Sequence, residues 1–167
     1  MSTSAGPDLR LPGSGKLKAF AIGSRARREI RRILPEGKTI LELGSGAGTV
    51  FLAKFYKMIS IESETGWIGM SDSAYLYAPI KDGWYDRAVM QTVADLQYDF
   101  LLIDGPWHRI AKRSAILPSI DLFDLTVPIL VDDSNRPDER YLVDELARLT
   151  GRESRVFQDG KKQFTIV

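Results

Sequence analysis

Between Thr39 and Gly48 the chain reads Thr-Ile-Leu-Glu-Leu-Gly-Ser-Gly-Ala-Gly, an apolar strand carrying an acid and opening into three alternating glycines. A second apolar run, Met58-Ile59-Ser60-Ile61, ends in Glu62, 20 residues beyond Glu42. Glycines at a strand exit let the backbone turn sharply and approach a ligand, because no Cβ blocks the contact or forbids positive φ. A carboxylate at the tip of the neighbouring strand can accept both hydroxyls of a ribose. Together these features point to an α/β fold holding an adenosine-containing cofactor. A glycine-rich turn that only joins strand to helix is the alternative reading.

The spacing inside the loop separates the cofactor classes. A dinucleotide fingerprint, G-x-G-x-x-G, would need glycine at position 49, where the chain has Thr49. A phosphate-binding G-x-x-x-x-G-K-[ST] loop has no match, since Gly15-Lys16 is followed by Leu17. The pattern present, Glu-x-Gly-x-Gly-x-Gly, resembles that of the class I S-adenosylmethionine-dependent methyltransferases. The resemblance implies a Rossmann-like three-layer α/β sandwich, with a seven-stranded, mostly parallel sheet and one antiparallel strand near the C-terminus. It also implies that S-adenosylmethionine is held by Glu42, Gly44, Ser45, Gly46, Gly48, Glu62, Ser63 and Asp104.

A chain of 167 residues is the size of one domain, able to bury roughly two-thirds of its unfolded surface. Residues 17–167 are expected to form it, after a Ser-, Gly- and Pro-rich arm over 1–16 that is either a mobile tail or a flap over bound substrate. The net charge of +1 gives the whole chain no field that would draw in nucleic acid or a membrane. Cysteine is absent, which removes disulfides, thiolate metal sites and cysteine nucleophiles. No apolar run approaches the roughly 20 residues of a membrane span, and a cytoplasmic location is the expectation.

Helical spacing over Leu17–Leu34 puts Ala26, Ile30, Ile33 and Leu34 on one stripe, and Pro35-Glu36-Gly37 ends it. Strands are expected over 39–43, 58–62, 75–79, 99–103, 128–132, 155–158 and 163–167. Helices are expected near 48–56, 65–72, 84–96, 109–123 and 137–149, an alternation that signals parallel strands joined by crossovers. The turn Gln158-Asp159-Gly160-Lys161 makes the last two strands an antiparallel hairpin.

Ligands of such sheets lie beyond the carboxyl ends of the strands, and those ends carry acids. Asp104 follows Asp99–Ile103, and Asp132 and Asp133 follow Pro128–Val131. Neighbouring strands run roughly 4.8 Å apart, so these carboxylates can converge, and if unpaired they would repel one another unless a cation neutralised them. A divalent ion with oxygen ligands, Mg²⁺ first, would serve. The arrangement is similar to that of the metal-dependent O-methyltransferases acting on catechols and sugars, which implies Asp104, Asp132 and Asp133 as ligands. Acids that only cap helices or touch cofactor are the metal-free reading.

His108, the sole histidine, stands at the same edge as a candidate base, with Asp104 beside it in the catalytic set, or is a plain surface residue. Trp84 and Tyr85 are candidate contacts for cofactor or acceptor, while Tyr75 and Tyr77 read as core. Short matches in these loops also resemble enzymes that methylate uronic acids of glycans. The expected reaction is methyl transfer to a hydroxyl of a sugar, glycan or small molecule. Rival readings are a metal-free N- or RNA methyltransferase, for which Arg25, Arg27, Arg28, Arg31 and Arg32 argue, an NAD-linked oxidoreductase disfavoured by Thr49, and a non-catalytic cofactor-binding module.

Overall fold

Strands buried on both faces read as continuous apolar runs, and the runs found in the sequence lie side by side as expected. The computed structural model describes residues 22–167. The arm over 1–16 and the start of the expected first helix lie outside the described residues. The sheet strands are β1 (Thr39–Leu43), β2 (Lys57–Glu62), β3 (Ser73–Tyr77), β6 (Phe100–Ile103), β7 (Ile129–Asp132), β8 (Arg155–Asp159) and β9 (Lys162–Ile166). They form one seven-stranded sheet in the order β3-β2-β1-β6-β7-β9-β8. The first five are parallel, and β9 runs against both of its neighbours.

Alternation along each strand feeds two cores, one on each face of the sheet. On one face Ile40, Met58, Phe100, Leu102, Leu130 and Phe164 pack with Ala26 and Ile30 of α1 (Ser24–Ile33) and Leu52 of α2 (Ala47–Leu52). On the other, Leu41, Leu43, Ile61, Leu101, Ile103, Ile129 and Val131 pack with helices that come later in the chain. These are α3 (Arg87–Gln91), supplying Met90, and α4 (Pro137–Thr150), supplying Leu142, Val143 and Leu146. Pro137 opens α4, Asp138 and Glu139 sit in its first turn, and Gly151 ends it at φ 66°, the left-handed conformation that glycine adopts without strain.

Four expected helices are shorter or different, the one near 48–56 ending at Leu52. Residues 65–72 make only a single 3₁₀ turn, Thr65–Trp67. Residues 109–123 hold 3₁₀ turns over Arg113–Leu122, broken at Ser119 after Pro118, whose ring removes a helical donor. The start of the expected helix over 84–96 is instead the second arm of a small hairpin, β4 (Ile80–Lys81) against β5 (Trp84–Tyr85). Its two turn residues, Asp82 and Gly83, have φ of 50° and 80°, as a tight type I′ connection requires.

Candidate active site

Strand order reverses at β1, whose neighbours β2 and β6 lead away in opposite directions. Beyond the carboxyl ends of these strands lies a cavity of about 600 Å³, within the ~300–1,000 Å³ of small-molecule sites. Gly44, Ser45, Glu62, Ser63, Asp104 and His108 all line it, as do Trp67, Tyr85, Gly105, Trp107, Arg113, Asp133, Arg136 and Lys162.

The floor is a contact between two glycines. Gly44 turns at φ 80°, and a Cβ there would stand 2.6 Å from the Cα of Gly105 in the loop after β6. A Cβ on Gly105 would stand 2.5 Å from the Cα of Gly44 and 2.7 Å from the Tyr85 hydroxyl. Two backbones meet here because neither residue has a side chain. Gly105 was not singled out in the sequence, although the glycine after Asp104 was its signal.

Glu62 anchors the loop. One carboxylate oxygen accepts from both the amide and the hydroxyl of Ser45, each at 2.7 Å, and the other accepts from the Glu64 amide at 2.8 Å. The oxygen bound by Ser45 has both lone pairs engaged, while the one bound by Glu64 keeps a further lone pair, and Glu62 lines the cavity. Glu62 therefore orders the turn and remains available to a ribose.

Glu42, expected among the cofactor contacts, is turned away from the cavity. On a period of two it shares the face of Ile40, and it lies opposite Ser60 in the register of β1 and β2. Its carboxyl is buried beneath α2, where Thr49 Oγ1 donates at 2.6 Å and Ser60 Oγ at 3.0 Å. Thr49 Oγ1 accepts in turn from the Gly46 amide at 2.9 Å. Burial, only partly offset by these hydrogen bonds, pushes the pKa of Glu42 up to about 8. Gly48 is likewise internal, since a Cβ there would stand 2.8 Å from Ile22 Cγ1. Thr49, which broke the dinucleotide fingerprint, is thus the brace under the loop, and Glu42, Gly46 and Gly48 shape the loop from behind.

The strand-exit acids do converge: carboxylate oxygens of Asp104, Asp132 and Asp133 lie within 4.8 Å of one another. They are not unpaired, however, which corrects the premise on which a metal was expected. Lys162 Nζ lies 3.3 Å from Asp132 Oδ2 and 3.2 Å from Asp133 Oδ1. Arg136 Nη2 lies 3.0 Å from Asp133 Oδ2, and Arg113 Nη2 is 3.4 Å from Asp104 Oδ1 and 3.6 Å from Asp133 Oδ2. Arg113 also buckles the two strand exits together, donating to the backbone carbonyls of Asp104 and, at 2.7 Å, of Asp132. Asp133 holds its place at φ 56°, a left-handed conformation unusual for any residue but glycine and found where the surroundings over-determine it. Burial and the neighbouring Asp132 raise the pKa of Asp104 well above the ordinary carboxylate range, against the pull of Arg113 and Lys162.

His108 is exposed at the cavity edge, and desolvation together with the positive charge of Arg136 lowers its pKa. It is therefore neutral near pH 7 and able to take a proton. Tyr85 is buried, its burial drives the pKa of its phenol up, and its hydroxyl has no hydrogen-bond partner among the described residues. Asn135 is exposed. The arginines of α1 do not line the cavity. Arg27 and Arg31 stack on Phe51 and Phe55, at 4.5 and 4.0 Å, and Arg31 and Arg32 pair with Glu36 and Glu29. The cations Arg113, Arg136 and Lys162 carried no motif in the sequence.

Solved structures share this architecture over more than nine-tenths of the chain. A methyltransferase from Geobacter sulfurreducens matches at a TM-score of 0.61 and 10% identity, covering 93% of this chain and 89% of that one. An S-adenosylmethionine-dependent methyltransferase from Aquifex aeolicus matches at 0.55 and 16% identity, covering 91% and 95%. The fold is that of the S-adenosylmethionine-dependent methyltransferases. A methyltransferase-like protein from Silicibacter pomeroyi shares the methyltransferase fold at 18% identity and a TM-score of 0.54, covering 96% of this chain and 90% of that one. No protein-family model matches the sequence, and no curated protein matches it. No helix among the described residues is long and apolar enough to cross a membrane.

Proposed function

We propose that this protein is an S-adenosylmethionine-dependent methyltransferase that transfers methyl to an acceptor oxygen. The observation that carries the reading is the junction of Gly44 with Gly105 at the sheet's reversal point, with Glu62 anchoring the turn on the wall of one cavity. That is where an open α/β sheet binds its ligand.

The cofactor brings a methyl group already activated on a sulfonium, so the protein's work is alignment and making the acceptor nucleophilic. The turn at Gly44 and Ser45 lets backbone approach the cofactor, and Glu62 accepts from its ribose. His108, neutral near pH 7, takes the proton of the acceptor hydroxyl. His108, Arg136 and Lys162 line the same cavity, which supports an acceptor rich in oxygen or negative charge, such as the uronic acid of a glycan.

A divalent ion is the finer part of this reading that the site accommodates least well. The three carboxylates suit a hard cation in kind. As they stand, Asp104, Asp132, Asp133 and the buried Glu139 face Arg113, Arg136 and Lys162 at 3.0–3.7 Å. An added double charge would be repelled by all three cations.

The test is titration calorimetry with S-adenosylhomocysteine, followed by transfer of labelled methyl from S-adenosylmethionine to a panel of uronic-acid oligosaccharides, small alcohols and RNA. One binding event is expected, abolished by Gly44→Val, with label appearing in a hydroxyl-bearing acceptor. Absence of heat sinks the reading. Binding with no transfer to any acceptor would leave a cofactor-binding module.

A further inference from the structure

We propose that the ammonium of Lys162 occupies the seat that a divalent ion would take among Asp104, Asp132 and Asp133, making it the built-in cation of the acceptor site. The inference deepens the reading above, since it concerns the acceptor side of the same cavity.

The topology explains how a lysine gets there. The parallel strands deliver their carboxyl ends to the active edge, whereas a parallel strand's first residue lies at the opposite edge. Strand β9 runs antiparallel to β7, with Asp132 opposite Phe164 and Leu130 opposite Ile166. The start of β9 therefore reaches the carboxyl end of β7, and Lys162, its first residue, arrives beside Asp132 and Asp133. The register is pinned by the Ser134 amide, which donates to the Gln163 carbonyl at 2.9 Å, and by Thr165 Oγ1, which donates to Ser134 Oγ at 2.8 Å.

The charges match the placement. Asp132 and Asp133 are buried, and a buried carboxylate must be paired. Lys162 bridges both at 3.3 and 3.2 Å while its side chain stays 37% exposed. It also lines the cavity. An ammonium has three donors, and these two carboxylates engage two of them. The remaining donor is what an acceptor oxygen would meet, so Lys162 can hold that oxygen, in the cavity that His108 also lines, without a bound ion. The site then takes an acceptor whose oxygen accepts a hydrogen bond from a cation, and needs no chelating pair of hydroxyls.

Mn²⁺ alone is the probe, followed by its electron paramagnetic resonance signal on the full chain, with S-adenosylhomocysteine calorimetry on the same samples. Wild type should leave the Mn²⁺ signal free, Lys162→Arg should do the same, and Lys162→Ala should gain at least about tenfold in Mn²⁺ affinity, or about 1.4 kcal/mol. Mn²⁺ binding by wild type that Asp133→Asn abolishes would overturn the proposal, and that arm does not depend on any lysine variant folding. Lys162→Met, which keeps the apolar stem, repeats the key measurement should Lys162→Ala not fold. No gain in either neutral variant that still binds S-adenosylhomocysteine would also overturn it. Loss of S-adenosylhomocysteine binding by wild type would remove the methyltransferase reading while leaving the Mn²⁺ outcome to stand separately.

Discussion

Glu42 and Tyr85 are polar groups held where water is excluded, and each leads to a measurable consequence. Burial raises Glu42 from 4.5 to about 8, so the folded chain keeps a proton that the unfolded chain releases above pH 4.5. The stabilising contribution is complete below 4.5 and drains away as pH rises through about 8, by up to about 1.4 kcal/mol per pH unit. Glu42→Gln carries no such proton, so urea unfolding at a series of pH values should show a flatter dependence across this window than wild type. Parallel slopes would mean that Glu42 is charged in the fold. Tyr85 makes the complementary case. An unsatisfied buried hydroxyl costs about 1–3 kcal/mol, and Tyr85 is a residue of the cavity wall, so a bound ligand that reaches the hydroxyl would relieve it. Tyr85→Phe should weaken S-adenosylhomocysteine binding by about tenfold and leave the free protein at least as stable. Unchanged affinity would show that the hydroxyl does not meet the cofactor.

At the scale of elements, the loops after β1 and β6 share one backbone contact, so an added methyl on either side must separate them. Gly105→Ala places its Cβ 2.5 Å from Gly44 Cα, backbone against backbone, with no flexible side chain to give way. We expect the circular dichroism of the sheet to persist and S-adenosylhomocysteine binding to be lost. Binding at wild-type strength would mean that the two loops are free to part. Which elements the sequence discloses depends on what determines them. The buried strands β1, β2, β6 and β7 were legible to within one residue because both faces demand apolar side chains. The hairpin of β8 and β9 was legible from Asp159-Gly160. Asp82-Gly83 carried the same signal between β4 and β5 and was overridden by the helical spacing that begins at Trp84. The site divides in the same way. Acids at strand exits were legible because the strands were, but their counter-charges come from a 3₁₀ turn, a helix entry and a reversed strand. Arg113, Arg136 and Lys162 meet only in three dimensions, and no spacing in the chain announces them. Glu42 was misplaced because strand alternation sends it under α2, away from the ligand side.

For the whole molecule, a net charge of +1 hides a strong internal division. Four carboxylates and three cations are gathered at one edge of the sheet, while the two apolar cores hold the layers together on either side. A ligand that fills the cavity touches loops from β1, β2, β6 and β7 at once, so its binding energy should be felt by the entire cooperative unit. S-adenosylhomocysteine present at a hundred times its dissociation constant would stabilise the folded state by about 2.7 kcal/mol. For a domain of this size each kcal/mol moves the midpoint by about 2–4 °C, giving a rise of about 5–10 °C. Differential scanning calorimetry measures this directly. The same concentration of NAD should leave the midpoint unmoved, because Thr49 replaces the third glycine of a dinucleotide fingerprint and its hydroxyl is committed to Glu42. A comparable rise with NAD would assign the cavity to a dinucleotide, and a rise with neither ligand would detach the fold from its cofactor.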